Sequence, residues 1–143
     1  MAATVTLYNF TRARFLSGLN AQGDTYKVNL YSALPANATA TTKAAAESGA
    51  TQIDTGNGYT QDTKVLTGVT TTIISTTNAK FDADDVSWTA SGGSIAAAFA
   101  LVYNDTDTDS APVLRIDFDG TVTAANGIPL VITWNSGGIF VLT

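Results

Sequence analysis

Three aspartates at alternate positions, Asp105, Asp107 and Asp109 in "NDTDTDS", have the spacing with which a calcium loop opens. If Asp105 is the first position of a helix–loop–helix calcium site, the sixth must be Gly for the sharp turn and the twelfth a bidentate Glu. The chain has Ser110 and Ile116 there, and apolar runs of strand character flank the loop where helices are required. Asp, Thr and Ser also bond their own backbone in turns. The segment is therefore expected to be a solvated hairpin tip, with an irregular calcium site of the extracellular type as the alternative. No metal ligand is assigned.

The remaining acids give a thin case for catalysis. "FDADD" holds Asp82, Asp84 and Asp85, and "DFDG" holds Asp117 and Asp119. On strands, Asp82/Asp84 and Asp117/Asp119 each share a face. A paired-carboxylate mechanism would need two such groups, for example Asp82 with Asp117, across one cleft. Charges near strand ends more simply keep sheet edges from pairing illicitly. His and Cys are both absent and Glu47 is the single glutamate, so acyl transfer by a Ser–His or Cys–His pair cannot be built. No catalytic or cofactor-binding residue is expected, and the reading is non-enzymatic.

Trp88 and Trp134 invite a sugar-stacking role. Each, however, ends an apolar strand face: Val86 with Trp88, and Leu130 and Ile132 with Trp134. Core or core-rim positions are expected for both. Gly92–Gly93 and Gly137–Gly138 read as turns, since no helix follows to offer its N-terminus to a phosphate.

The bulk composition agrees. The 143 residues are 45% hydrophobic but only 13% charged, about half the usual charged share, so a folded core is expected and disorder is not. A net charge of −5, with Arg12 and Arg14 the one close pair of cations, argues against nucleic acid as a partner. Nothing approaches the roughly 18 apolar residues of a membrane helix, and "MAATVTLYNFTRARFLSGL" lacks the pattern of a secretory signal. Neither membrane nor nucleic acid is an expected partner.

The elements that must position these residues are mostly strands. "TVTLY" alternates and is expected as a short strand or an extended arm within residues 1–9. One short N-terminal helix is predicted over about 10–18, from Phe15, Leu16 and Leu19, capped by Asn9 or Thr11 and ended by Gly18 or Gly23. "TYKVNLYSA" is a strand with Tyr26, Val28 and Leu30 on one face and Lys27, Asn29 and Tyr31 on the other. Residues 34–63 have no sustained apolar period and are expected as a long variable surface loop, with one or two helical turns in "TTKAAAESG". From Lys64 onward, "KVLTGVTTTIIST", "AKFDA", "DVSWTA", "SIAAAFALVYN", "PVLRIDFD", "IPLVITWN" and "GIFVLT" read as strands separated by turn signals. The fold class is mainly β: an antiparallel β-sandwich or jelly-roll-like single domain over residues 1–143.

The order of "NFTRARFLSGLN", "DTYKVNLYSA", "ADDVSWTA", "AFALVYNDT…APVLRIDFDG" and "NGIPLVITWNSGGIFVLT" resembles small virion proteins of tailed bacteriophages. It is most similar to capsid decoration (cement) proteins, and most specific at "LVYNDT", "IDFDG" and "WNSGGIFVLT". The resemblance implies a structural protein on the exterior of the capsid. Such a protein binds the major capsid protein lattice, commonly as trimers at symmetry or quasi-symmetry axes, and stabilises the head against packaged DNA. It implies no cofactor. An alternative is a tail, fibre or baseplate component with receptor or glycan binding, in which exposed aromatics, Tyr31, Tyr59 and Trp88, would carry the stacking.

Overall fold

The computed structural model of the chain describes residues 3–143. Its first half runs β1 (Thr4–Leu7), α1 (Thr11–Leu16), β2 (Tyr26–Ala33), α2 (Lys43–Ala46) and β3 (Thr51–Gln52). The second half is strand alone: β4 (Thr70–Ile73), β5 (Ala79–Asp82), β6 (Val86–Thr89), β7 (Ile95–Asn104), β8 (Pro112–Ala124), β9 (Pro129–Ile132) and β10 (Phe140–Leu142). The protein is mainly β, and its strand pairs are antiparallel. Among the described residues no helix is long and apolar enough to cross a membrane.

Five strands form the largest sheet in the order β1-β8-β7-β2-β3; β10-β5-β4 and β6-β9 form two smaller ones. Side chains alternate across a strand, and the alternation assigns each residue of the large sheet to one of two faces. Tyr26, Val28 and Leu30 of β2, Ala100 and Val102 of β7, and Leu114 and Ile116 of β8 point one way. They meet Phe81, Val86, Trp88, Leu130, Ile132 and Phe140 from the smaller sheets in one apolar cluster. The small Ala97 and Ala100, both fully buried, keep β7 low at the centre of this face.

The opposite face differs from the sequence expectation. Tyr31, Leu101 and Tyr103 are buried there beneath Leu34, Ala40 and Ala46. Residues 34–63 are thus a second covering layer rather than a free loop. Within it lies α2, the helical turn expected in "TTKAAAESG", capped by Thr42, whose hydroxyl accepts from the Ala45 amide at 3.1 Å. The segment also covers the outer edge of β2. Val28 N–H donates to Lys64 O at 2.9 Å, Ile53 N–H to Leu30 O at 3.1 Å, and Leu30 N–H to the Tyr59 hydroxyl at 3.1 Å.

The N-terminal segment resolves as a strand and not an arm: Thr4–Leu7 pairs with Leu114–Asp117 at the edge of the large sheet. The helix α1 is shorter than expected and neither Asn9 nor Thr11 caps it; Phe10 is the N-cap and no side chain bonds there. Thr11 is buried and donates its hydroxyl to Val113 O at 2.6 Å, docking the helix on β8. Phe15 enters the aromatic core, 5.2 Å from Phe81 and 5.5 Å from Phe140 between ring centroids. Leu16 and Leu19 remain outside. Gly18, at φ 75°, ends the helix as expected.

Candidate functional site

The aspartate loop is the tip of the β7–β8 hairpin, where Tyr103 pairs with Pro112. Asp107 faces the Arg14 guanidinium of α1, and Asp105 lies 2.7 Å from Lys27 of β2. The Asp109 amide donates to Asp107 Oδ1 at 3.0 Å, an Asx turn. Burial works to raise the Asp107 carboxyl, but the Arg14 hydrogen bond and charge and neighbouring backbone amides outweigh it and hold it below its ordinary value. Below the loop the buried Asn104 amide donates to Asn20 Oδ1 at 3.0 Å and Asp24 Oδ2 at 2.8 Å. The three aspartates do not converge; two are tied to cations on other elements. The loop is a tie between the hairpin, β2 and the turn after α1. Among the described residues no three acids, histidines or cysteines cluster with metal-ligand spacing.

The other acids are likewise held apart. Asp82, on β5, pairs with Lys80 at 3.1 Å, and Asp117, on β8, with Arg115 at 3.4 Å. Asp84 accepts from the Thr67 hydroxyl at 2.9 Å, and Asp85 accepts from the Trp134 amide at 2.9 Å. Asp82, Asp84, Asp85 and Asp117 therefore each have a partner, the exposed Asp119 donates its amide to Asp117 Oδ1 at 3.0 Å, and Asp82 and Asp117 belong to different sheets.

The aromatics correct one expectation. Tyr31 and Tyr59 are 0% and 1% exposed, and Trp88 is 5% exposed, so none offers a stacking face. Trp88 and Tyr59 pack 6.2 Å apart in the core, with the Lys64 amine 5.6 Å from the Trp88 ring centre. Trp134 is at the core rim, as expected, its indole N–H donating to Asp84 O at 2.9 Å.

The densest polar constellation is one the sequence did not reveal. Asp62 Oδ1 accepts from Lys43 Nζ at 2.7 Å, from Tyr103 OH at 3.2 Å and from Asn29 Nδ2. The Asp62 amide donates back to Asn29 Oδ1 at 3.1 Å. Tyr31 OH donates to Glu47 Oε1 at 2.5 Å, and Lys43 also reaches Glu47 at 3.4 Å. Burial would raise the Asp62 carboxyl, but the hydrogen bonds of Lys43 and Asn29, with the Lys43 charge, hold it low. Burial would lower the Lys43 amine, but the Asp62 hydrogen bond and the charges of Glu47 and Asp62 raise it. Burial, then the adjoining acids, raise Tyr31 and Tyr103.

An amine beside a carboxyl could condense to an amide only with both groups neutral in a dry site. Here both shifts favour the ions, and the Asp62 side chain is 50% exposed. The constellation is an ion-pair latch that fastens residues 43–62 to the large sheet. Its one trace in the sequence is the placing of Asn29 and Tyr31 on the same face of β2.

Among the described residues several apolar surfaces remain uncovered, and two of them lie at strand edges. One is a cleft of about 330 Å³ between the edge strands β1 and β9, lined by Val5, Phe118, Val122, Leu130, Ile132 and Trp134 among others. The other joins α1 to the β4 edge, where Leu16 and Ile73 are 84% and 82% exposed beside Arg12 and Leu142. Neither gathers groups suited to bond-making chemistry. Comparison with family models, with curated proteins and with solved structures finds no match to this chain.

Proposed function

We propose that this chain is a non-enzymatic virion structural protein, a decoration (cement) protein on the exterior of a tailed-bacteriophage capsid. Its partners are the major capsid protein lattice and further copies of itself, and its job is to add contact area that stabilises the head. The observation that carries the reading is the ordered resemblance through "LVYNDT", "IDFDG" and "WNSGGIFVLT". In the fold these runs supply strand and turn positions in β7, β8 and β10, as expected of motifs that are structural rather than catalytic. The shared apolar cluster between the large sheet and the two smaller ones supports a β-sandwich as the finer description of the domain.

The distribution of polar groups favours the same reading. Most of the acids are tied to partners within the fold, while the uncovered surfaces are apolar edges. An acidic exterior suits a protein that faces solvent and would be unfavourable against DNA. The tail or fibre alternative loses the aromatic platform on which it was framed, since Tyr31, Tyr59 and Trp88 are buried.

Electron cryomicroscopy of purified particles tests the proposal directly. The expected result is density for this chain on the outer surface of the shell, contacting several capsid subunits. Particles in which it is absent from the shell, or lies in the tail, would overturn it.

A further inference from the structure

We infer that copies of this chain associate head to tail, the Arg12–Leu16–Ile73 surface of one copy seating in the β1–β9 cleft of the next. This deepens the decoration reading, whose self-association it assigns to named residues.

The first argument is shape. The Leu16 and Ile73 side chains stand almost wholly free of the fold beside a shallow hollow of about 300 Å³, whereas the cleft of about 330 Å³ has the buried Phe118, Leu130 and Ile132 in its walls. The residues lining the two surfaces are entirely different. A two-fold contact made through one of these surfaces alone would set it against itself, protrusion to protrusion. Setting protrusion into recess makes a heterologous contact, which closes into a ring where the rotation allows.

The second argument is charge. Of the seven cations, Arg14, Lys27, Lys43, Lys80 and Arg115 have acid partners, and Lys64 lies over Trp88. Among the described residues Arg12 alone has neither, and it is exposed beside Leu16 and Ile73. The cleft walls contain no ionisable side chain, but acids border them: Asp85 holds the Trp134 amide, and exposed Asp119 directly follows Phe118. A free cation on the protrusion thus matches an acid-bordered recess. Between two copies that each carry −5, that match opposes the general repulsion and selects these two faces.

The third argument is the absence of charge at the β4 edge, which is covered in part by the Gln22 side chain on Thr71. Residues 65–79, which include β4, contain no charged residue. Edge strands that must stay alone commonly carry charge or proline.

The test uses the full chain and three variants, followed by sedimentation velocity up to about 100 μM, where a contact of micromolar strength is saturated. Leu16→Glu/Ile73→Glu spoils the protrusion and Val5→Glu/Val131→Glu spoils the recess; all four side chains are exposed, and circular dichroism checks that each variant folds. The wild type is expected to associate and each double variant to be monomeric. Mixed together, the two double variants should form a one-to-one dimer and stop there, because one intact protrusion and one intact recess remain. Arg12→Glu leaves the apolar surfaces intact and should weaken association by about two- to fivefold, which keeps the test decisive if a double variant fails to fold.

A wild type that stays monomeric throughout, or a mixture of folded double variants that does, overturns the inference. Binding to capsid shells is scored separately. A monomeric chain that still decorates shells removes this contact alone, and an associating chain that never binds shells removes the decoration reading alone.

Discussion

Asp62 and Tyr59 show how single side chains hold the outer layer on the sheet. Asp62 gathers donors from Asn29, Lys43 and Tyr103 and sits at φ 59°, a conformation Asn also tolerates. Asp62→Asn therefore keeps the backbone and removes the charge. Because the folded carboxyls of Asp62 and Asp107 lie below their ordinary value of 3.8, the unfolded chain binds protons first as pH falls. Their contribution is present above the unfolded value and is lost as pH falls through the folded one. The urea midpoint should therefore drop between about pH 5.5 and about pH 3, and drop less in Asp62→Asn/Asp107→Asn. An equal drop in the variant would show that these two carboxylates are not responsible. Tyr59 acts differently, its hydroxyl accepting from the buried Leu30 amide at 3.1 Å and from Gln52 at 3.2 Å. Tyr59→Phe leaves a buried N–H without a partner, at a cost of about 1–3 kcal/mol in denaturant unfolding, whereas a value near zero would mean that water replaces the hydroxyl.

At the scale of elements, β8 is the spine of the large sheet, and its irregularity is built by particular residues. Between the pairs Ala97–Val122 and Phe99–Asp117, β8 contains three more residues than β7 does. The excess is accommodated where Asp119 and Gly120 adopt φ 57° and 125°. A Cβ at Gly120 would meet nothing within 4 Å, so Gly120→Ala tests backbone strain alone, about 1–3 kcal/mol. At Gly58 a Cβ would strike the Thr89 carbonyl oxygen, adding a clash with backbone to the strain of φ 89°. Gly58→Ala should therefore cost more than Gly120→Ala in thermal or urea unfolding, and the reverse order would refute the assignment. The same elements show what could be read from residues alone. Segments such as "AKFDA" and "DVSWTA" announce their strands by alternation bounded by turns. "PVLRIDFD" was expected to stop before Gly120, because glycine reads as an end when it is in fact a bulge. "KVLTGVTTTIIST" yields only Thr70–Ile73 as a strand, interrupted by Gly68 at φ 63°. Residues 34–63 were opaque for another reason. Their buried members, Leu34, Ala40, Ala46 and Tyr59, follow no period, since they seat on a sheet face and a strand edge made by distant chain. The Asp62 latch was hidden with them, because Asn29, Lys43, Asp62 and Tyr103 meet only once that layer is laid down.

For the molecule as a whole, the question is which sheet edges are closed and by what. β2 is covered by residues 51–65, and part of β4 is capped by Gln22, whose side-chain oxygen accepts from the Thr71 amide at 3.0 Å and hydroxyl at 3.1 Å. Among the described residues the edge of β8 is closed by β1, through Thr4–Leu7 opposite Leu114–Asp117, and by the following Tyr8 amide, which donates to Val113 O at 3.2 Å. That short strand therefore does two jobs: it satisfies the β8 backbone and, through Val5, forms one wall of the apolar cleft. Deleting residues 1–7 would leave the β8 edge with unpaired amides and carbonyls next to Leu114 and Ile116, a template for another strand. The rest of the large sheet retains its pairings among β8, β7, β2 and β3, so the shortened chain is expected to keep its β-rich circular dichroism. It should unfold at a lower urea concentration and scatter light increasingly as it is concentrated, through non-specific edge pairing that the full chain avoids. The two forms of association then separate by chemistry. Association of the full chain through the cleft should respond to Val131→Glu, while that of the shortened chain should respond to a charge or proline placed on the exposed β8 edge. A shortened chain that remains monodisperse and equally stable would mean that β1 is dispensable and that the β8 edge is protected by something other than pairing.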